Sequence, residues 1–397
     1  MVHGALKIGN YFLNYKTPMV IEGPGSVTRL PEVIVSEGVK KVLIVTGRNV
    51  SKLESFHNML KAADEAGLEY VIFNGVSPNP TSDNVEEGFA AYKSGGCDGF
   101  IAFGGGSPMD CAKAIGAKVS RPNKPVHKLQ GVFKVMKKLP PFYAVPTTAG
   151  SGSETTIAAV ITDSATHHKA ALNDPVLMPN CAVLDPELTA GLSPFTTAIT
   201  GMDALSHAVE AYTNHTYNTN LEDSYALEAI RLIYENIIPV YTDGNNIDAR
   251  RNMQLASFKA GRAFTRGCVG YVHAIGHTLG GLYGVPHGLA MAVLLPKVMT
   301  KFGPAVYDSL ARIADYCGLS EDAGLAHADN KAKALRFINW IEETNRAMNI
   351  PDHFDEIKAS DIPQMASWAS AEANPIYPVP SLWSLDDFTE IIEGLCD

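Results

Sequence analysis

What this chain lacks narrows its role before anything it contains. Its 397 residues include no uninterrupted apolar run near the roughly 20 residues that span a bilayer, so a membrane-embedded role is not expected. The N-terminal segment MVHGALKIGNYFLNYKTP shows no continuous apolar stretch after a basic start, which argues against a secretory leader and for a cytoplasmic protein. The six cysteines, Cys97, Cys111, Cys181, Cys268, Cys317 and Cys396, stand singly, without a CxxC pair or the density of a disulfide scaffold. They read as reduced, mostly buried thiols. Without a secretion signal, the sequons at Asn49 and Asn214 carry no weight. Basic residues are sparse as well: the formal net charge is -10, and Lys and Arg cluster only in HKLQGVFKVMKK. That balance speaks against nucleic acid or an anionic membrane as the main partner and leaves small molecules. Internal repeats, low-complexity segments and the GxGxxG fingerprint are missing too.

What is present is the composition of a well-packed soluble enzyme, 46% hydrophobic, at a length that predicts two domains. In the first half, short apolar runs alternate with helical stretches. KKVLIVTG, LEYVIFNGV, CDGFIAFGGG, PFYAVPTT and CAVLDPELT read as strands, while SFHNMLKAADEAG, NVEEGFAAYKSGG and SPMDCAKAIG read as helices. This βαβ rhythm predicts a parallel sheet covered by helices, an α/β domain over residues 1–190. From about residue 190 the apolar residues recur at helical spacing in NLEDSYALEAIRLIYENIIPVY, DARRNMQLASFKAGRAF, AVYDSLARIADYCG and DNKAKALRFINWIEETNRAMN. Residues 191–397 are therefore expected to form an all-helical domain, with the boundary near DPELTAGLSP.

Two loops carry a phosphate signal. Gly104-Gly105-Gly106-Ser107-Pro108-Met109-Asp110 follows the strand GFIAF and opens a helix. Glycines let backbone approach a diphosphate, and the free N–H groups at a helix start attract anions. A second polar, glycine-rich loop, VPTTAGSGSETT, also follows a strand, which places two donor-rich loops at one sheet edge, where open α/β sheets bind ligands. The first βα unit should then meet the adenosine ribose. An acidic residue there would repel a 2′-phosphate; this chain has Gly47 followed by Arg48, which favours NADP over NAD.

The second half holds a metal-ligand pattern. Asp203 precedes His207 by four positions in GMDALSHAVEAY, and three of the twelve histidines, His273, His277 and His287, fall within GYVHAIGHTLGGLYGVPHG. Residues four apart share a helix face, and small neighbours permit close helix packing. His327 and His353, on surface-like stretches, read as solvated.

These residues resemble the iron-containing, group III alcohol dehydrogenases nearly end to end, through GGGSPMD, VPTTAGSGSE, NDPVLMPNCAVLDPELT, GMDALSHAVEAY, GYVHAIGHTLGGLYGVPHG and ANPIYPVP. The resemblance implies a dehydroquinate synthase-like fold with the dinucleotide domain first, a helical metal domain second and the active site in the cleft. It implies Asp203, His207, His273 and His287 as metal ligands, and His277 as a non-ligand histidine near nicotinamide and substrate. Gly105, Gly106 and Ser107 match diphosphate contacts, with Gly104 beside them; Thr147, Thr148 and Lys169 match residues around the pyrophosphate and nicotinamide ribose, and Asn79 matches another cofactor contact. Members that prefer NAD usually carry aspartate where this chain has Gly47, which agrees with the charge argument for NADP. The family's asparagine further along the TTAG loop is replaced by Ala158, so that contact is not carried over. A homodimer or larger homo-oligomer is implied as well.

One carboxylate and three neutral imidazoles leave a divalent ion with net charge near +1 and room for an exchangeable ligand, a Lewis acid for an alcohol or carbonyl oxygen. Imidazole suits Fe2+ and Zn2+ alike, and the family implies iron. His277 is the candidate proton relay. Gly270, Gly276, Gly280 and Gly281, with Phe264 and Tyr271, suggest a modest pocket for a short primary alcohol or aldehyde, including a diol or hydroxyaldehyde. Other readings are polyol oxidation resembling glycerol dehydrogenase and a lyase resembling dehydroquinate synthase. The lyase needs several cations near the metal, where only Arg262 and Arg266 occur. A non-catalytic assembly protein would have no need of the full ligand set.

Overall fold

The computed structural model describes residues 15–164 and 169–396, and the N-terminal segment MVHGALKIGNYFLNYKTP, read above for a leader, lies outside them in its first fourteen residues. The chain divides into two compact units, Tyr15–Gly191 and, among the described residues, 192–396.

Among the described residues the first unit is built on nine strands: β1 Met19–Glu22, β2 Lys41–Thr46, β3 Glu69–Phe73, β4 Gly99–Gly104, β5 Gly131–Val132, β6 Phe142–Pro146, β7 Ala158–Thr162, β8 Lys169–Asn173 and β9 Cys181–Leu184. Six make one sheet in the order β1-β9-β6-β4-β2-β3, with every pair parallel. The crossovers include α1 Leu30–Ser36, α2 Glu54–Ala66, α3 Ser82–Gly95 and α4 Gly106–Ser120. Side chains alternate between two cores. Leu43, Val45, Phe100 and Ala102 face Val85, Met109 and Ile115 from α3 and α4. Val42, Ile44, Ile101 and Phe103 face Ile34, Phe56 and Met59 from α1 and α2. Helices on both faces explain why β4, β6 and β9 are buried at every position, while β3, at the sheet edge, is only partly covered.

All five expected strands form. Unexpected are β1 and a second, three-stranded sheet in the order β5-β8-β7, whose β7 and β8 run antiparallel. Residues 158–162 and 169–173, AAVIT and KAALN, are too rich in alanine to announce a strand, and β5 has only two residues. Cross-strand pairing decides there against local propensity.

Among the described residues the second unit contains helices and no strand: α5 Pro194–Thr213, α6 Asn220–Thr242, α7 Ile247–Gly267, α8 Tyr271–Tyr283, α9 His287–Phe302, α10 Tyr307–Tyr316, α11 Asn330–Ala347, α12 Ile362–Ala373 and α13 Leu385–Glu393, with short turns between them. Ser193 caps α5, its hydroxyl accepting from the Thr196 amide at 3.1 Å, and Pro194 fits the first turn. Close helix approach depends on two glycines. A Cβ on Gly276 would sit 2.0 Å from Met291 Cε, and one on Gly288 would sit 2.2 Å from the Ile199 carbonyl oxygen. The first obstacle is the end of a flexible side chain; the second is backbone of α5.

Gly288→Ala should therefore cost roughly 1–3 kcal/mol, the usual penalty of forcing atoms into a packed core. Thermal unfolding should show a lower Tm than for Gly276→Ala, whose obstacle can rotate away.

Candidate metal centre and cofactor loops

Helix α5 places Asp203, His207 and Glu210 on successive turns, α8 places His273 and His277 one turn apart, and α9 begins at His287. One donor atom each from Asp203, His207, His273 and His287 lies within 4.8 Å of the other three. Asp203 Oδ1 stands 3.4 Å from His287 Nε2, 3.9 Å from His207 Nδ1 and 4.0 Å from His273 Nε2. Asp203 Oδ1, His207 Nδ1 and His273 Nε2 are buried and form no hydrogen bond. Leaving buried polar atoms unmatched costs about 1–3 kcal/mol each, a cost that a shared divalent cation removes. The residues present thus fit a metal ion.

The electrostatics agree. Burial works against the Asp203 carboxylate, but the imidazoles of His207 and His287 hold its carboxyl well below the usual range. Burial drives His207 down to about 3 and His273 well below its ordinary value, so both rings are neutral, the form that ligates metals. The cage is open on one side: the Asp203, His207 and His273 side chains are under 10% exposed, against 39% for His287 and 26% for His277.

A second layer supports these donors. The buried Glu210 carboxylate accepts from the Val272 amide at 2.7 Å, in the first turn of α8, and pairs with His273 Nδ1 at 2.5 Å. A Cβ at Gly270 would fall 2.8 Å from Glu210 Oε1, so the helix start requires glycine. Burial pushes Glu210 up to about 7. Phe264 stacks on His207 with ring centres 4.2 Å apart. His277 Nδ1 lies 2.7 Å from Glu372 Oε1 on α12, and the Tyr377 hydroxyl donates to the same oxygen at 2.9 Å. Burial opposes ionisation of Glu372, but His277 and the Tyr377 hydrogen bond hold it below its ordinary value. Glu210 shares a helix face with His207 and could have been read from HAVEAY. Glu372, ninety-five residues from His277, leaves no trace in local spacing.

The pocket reading needs correction at two positions. Tyr271 is fully buried among Phe302, Trp383 and Phe388, with its hydroxyl donated to Asn374 Oδ1 at 3.1 Å, so it belongs to the core. Gly276 is likewise a packing glycine against Met291. Cys268 stays outside the cage, its thiol pushed up to about 12 by burial. Arg266 is engaged by Glu222 at 3.1 Å.

In the first unit, β4 and β6 end side by side, Gly104 opposite Pro146, so their loops leave the sheet together. Gly104 has φ +151°, and its carbonyl accepts from the Thr147 amide at 3.0 Å. A Cβ on Gly105 would come 3.2 Å from Thr148 Oγ1, and one on Gly106 would come 3.3 Å from Ser151. The two loops interlock there, and Ser107 lies in the first turn of α4, whose start carries no side-chain cap. Lys169 Nζ donates to Asn79 Oδ1 at 3.1 Å, joining two expected cofactor contacts. Gly47 and the exposed Arg48 follow β2 at the same sheet end.

Sequence reasoning missed what holds this edge. Lys113 is fully buried, and its ammonium donates to the carbonyls of Ser153, Thr156 and Ala158 and to the hydroxyls of Ser153 and Thr156 at 2.7–3.1 Å. Asp110 accepts from Ser153 Oγ at 2.9 Å and from the Val160 amide at 3.0 Å. Asp110 and Lys113, three apart among the buried residues of a mostly apolar helix, were the available signal.

Comparison with known proteins defines the class. The iron-containing alcohol dehydrogenase family matches residues 17–186, and the C-terminal part of the Fe-containing alcohol dehydrogenase family matches 197–396. The chain is 38% identical to 1,3-propanediol dehydrogenase of Klebsiella pneumoniae over 89% of its own length and 90% of that protein. It is 36% identical to NAD-dependent methanol dehydrogenase of Bacillus methanolicus, covering 97% of this chain and 99% of the relative. Among solved structures, a 1,3-propanediol oxidoreductase superposes with a TM-score of 0.91 at 35% identity, over 96% of this chain and 99% of the other. The chain belongs to the iron-containing alcohol dehydrogenase family. It is an oxidoreductase that interconverts alcohols and aldehydes with a nicotinamide cofactor.

Glu210→Ala should weaken metal affinity about 10–100-fold, the usual effect of removing the partner of a ligating histidine. Competition with a chromogenic chelator measures it; unchanged affinity would show that Glu210 serves α8 alone.

Proposed function

We propose that Asp203, His207, His273 and His287 hold one Fe2+ ion, and that the substrate is a short primary alcohol or aldehyde, including a diol or hydroxyaldehyde. The observation that carries the metal reading is the set of buried donors without hydrogen bonds inside one 4.8 Å cage. When bound, the ion supplies a Lewis acid that polarises the substrate oxygen. Two of the relatives, 1,3-propanediol dehydrogenase and methanol dehydrogenase, are named for small alcohols, which supports a small substrate. Phe264, stacked beside His207, contributes the apolar surface such a substrate would meet.

Oxidation of the alcohol releases a hydride, taken up by the nicotinamide, and a proton, which needs a separate path. His277 is the proposed carrier: it is not one of the cage donors, it is partly exposed, and it stands one turn from His273, with ring centres 6.1 Å apart. Its imidazole takes the hydroxyl proton and passes it to solvent; in reduction it returns one to the carbonyl oxygen. Gly104, Gly105, Gly106, Ser107, Thr147 and Thr148 form the diphosphate cradle of this reading, and Asn79 and Lys169 a further cofactor contact. Gly47 and Arg48 offer no carboxylate against a 2′-phosphate, so NADP is the preferred cofactor. Among the described residues no single helix is long and apolar enough to cross a membrane, and a cytoplasmic homodimer or larger homo-oligomer completes the proposal.

The deciding experiment is a panel of short alcohols, diols and aldehydes run with NAD(H) and NADP(H). Activity should be lost on chelation, return with Fe2+, and be higher with NADP(H) at equal concentration. Full activity with zinc alone would overturn the choice of iron. His277→Ala should lower kcat by about 10²-fold, the lower end for a positioned acid–base group, with metal content unchanged. Equal loss of metal and turnover would assign His277 to the cage instead.

A further inference from the structure

Helix α8 carries two histidines one turn apart, and each has its Nδ1 on a glutamate from another helix. His273 pairs with Glu210 of α5, and His277 with Glu372 of α12 at 2.7 Å. The second pairing has a feature that fixes its polarity. Glu372 Oε1 also receives the Tyr377 hydroxyl at 2.9 Å. A phenol hydroxyl donates its single proton, so this oxygen is an acceptor toward Tyr377, and an ionised carboxylate accepts from every partner. Toward His277, therefore, Nδ1 is the donor. In a neutral imidazole only one ring nitrogen carries hydrogen, which leaves the Nε2 lone pair open to accept a proton. Without the carboxylate neither tautomer would be selected, and the ring could turn about its side-chain bonds.

We infer that Glu372 is a positioning residue for the alcohol dehydrogenase reaction, holding His277 as the Nδ1–H tautomer so that Nε2 is the atom that accepts the substrate hydroxyl proton. The inference rests on the reading of His277 as proton carrier. The proton balance is complete: the alcohol hydroxyl gives its proton to Nε2, the ring becomes an imidazolium stabilised by Glu372, and the proton then leaves Nε2 to water while Nδ1 keeps its own. Glu372 stays ionised throughout. Tyr377 serves the same end by fixing which carboxylate oxygen faces the ring. The Glu372 and His277 side chains are 34% and 26% exposed, so the pair is reachable by the solvent that must take the proton.

The test uses Glu372→Leu, which removes the acceptor, and Glu372→Gln, whose side-chain oxygen can still accept from Nδ1 and from Tyr377. Glu372→Leu should lose at least tenfold in kcat, with KM for the alcohol and iron content within twofold of the parent. Glu372→Gln should retain most of the turnover. A second readout needs neither iron nor turnover. In histidine-labelled, metal-free protein at about pH 9, where an imidazole is neutral, 15N spectra should show the His277 proton on Nδ1 in the parent and in Glu372→Gln. The signal is assigned by its loss in His277→Ala, and in Glu372→Leu the proton should redistribute toward Nε2. A parent spectrum with the proton on Nε2 overturns the inference, as does Glu372→Leu turning over normally while His277→Ala is impaired. If His277→Ala itself turns over normally, the proton-carrier reading falls, and the tautomer in the parent spectrum still decides whether Glu372 sets the ring.

Discussion

Much of the helical unit depends on one buried carboxylate. Glu210 lies inside α5, three residues beyond His207, and its two oxygens face different tasks. One receives the Val272 amide at the start of α8, where a helix otherwise leaves its first N–H groups without partners. The other pairs with His273 Nδ1, which turns Nε2 of that ring toward Asp203. Gly270 exists for the same reason, since any side chain there would collide with Glu210 Oε1. From this contact the geometry propagates. The position of α8 sets His273 and His277, the close pass of Gly276 against Met291 joins α8 to α9, and the contact of Gly288 with the Ile199 carbonyl returns α9 to α5 with His287 at its first position. Three helices are closed into a ring around the cage.

Two buried clusters, one in each unit, treat charge in opposite ways, and the contrast separates structure from function. In the α/β unit, Lys113 is as deeply buried as any residue of the chain, yet its ammonium meets five oxygens, and Asp110 beside it is matched as well. Burial pulls the Lys113 pKa down to about 8, but nothing is left over for a ligand: this network fastens the loop after β6 to helix α4. In the helical unit, Asp203 Oδ1, His207 Nδ1 and His273 Nε2 share one small volume and none has a hydrogen bond. Buried polar groups in folded proteins are nearly always matched, so a cluster of unmatched ones needs a partner from outside the chain. The difference between these two groups does not depend on resemblance to any other protein.

Sequence alone made most of this legible, but unevenly. The parallel sheet was readable because β2, β4, β6 and β9 are buried on both faces and so appear as unbroken apolar runs. The second sheet was not, because its alanine-rich strands gain their structure from each other. Asp203 and His207 were visible because they stand a single helical turn apart, and His273 and His287 because they fall with His277 in one short histidine-rich stretch. Tyr271 and Gly276 misled because proximity in sequence to the histidines suggested a pocket wall, whereas helical geometry turns Tyr271 into the core on another face of α8 and Gly276 is closed off by Met291 of α9. Glu372 reaches His277 only through the packing of α12 on α8, which no local pattern encodes.

Burial then separates the roles proposed for the two histidines of one motif. His273 and His277 lie on the same helix, one turn apart, each with Nδ1 against a carboxylate, so hydrogen bonding alone would give them the same role. Their surroundings differ. His273 is 3% exposed, and burial keeps its ring neutral, with Nε2 committed to a space shared with Asp203 and His207. His277 is 26% exposed and its ring lies nearly parallel to that of His287, beside the open side of the cage. A ring that must hold an ion gains from a dry, fixed setting, because a competing proton would displace the ion. A ring that must exchange protons needs contact with water and an anion nearby to support its charged form. In the proposed reading the glutamate contact gives both rings a defined tautomer, and the difference in solvent access suits one to holding an ion and the other to carrying a proton.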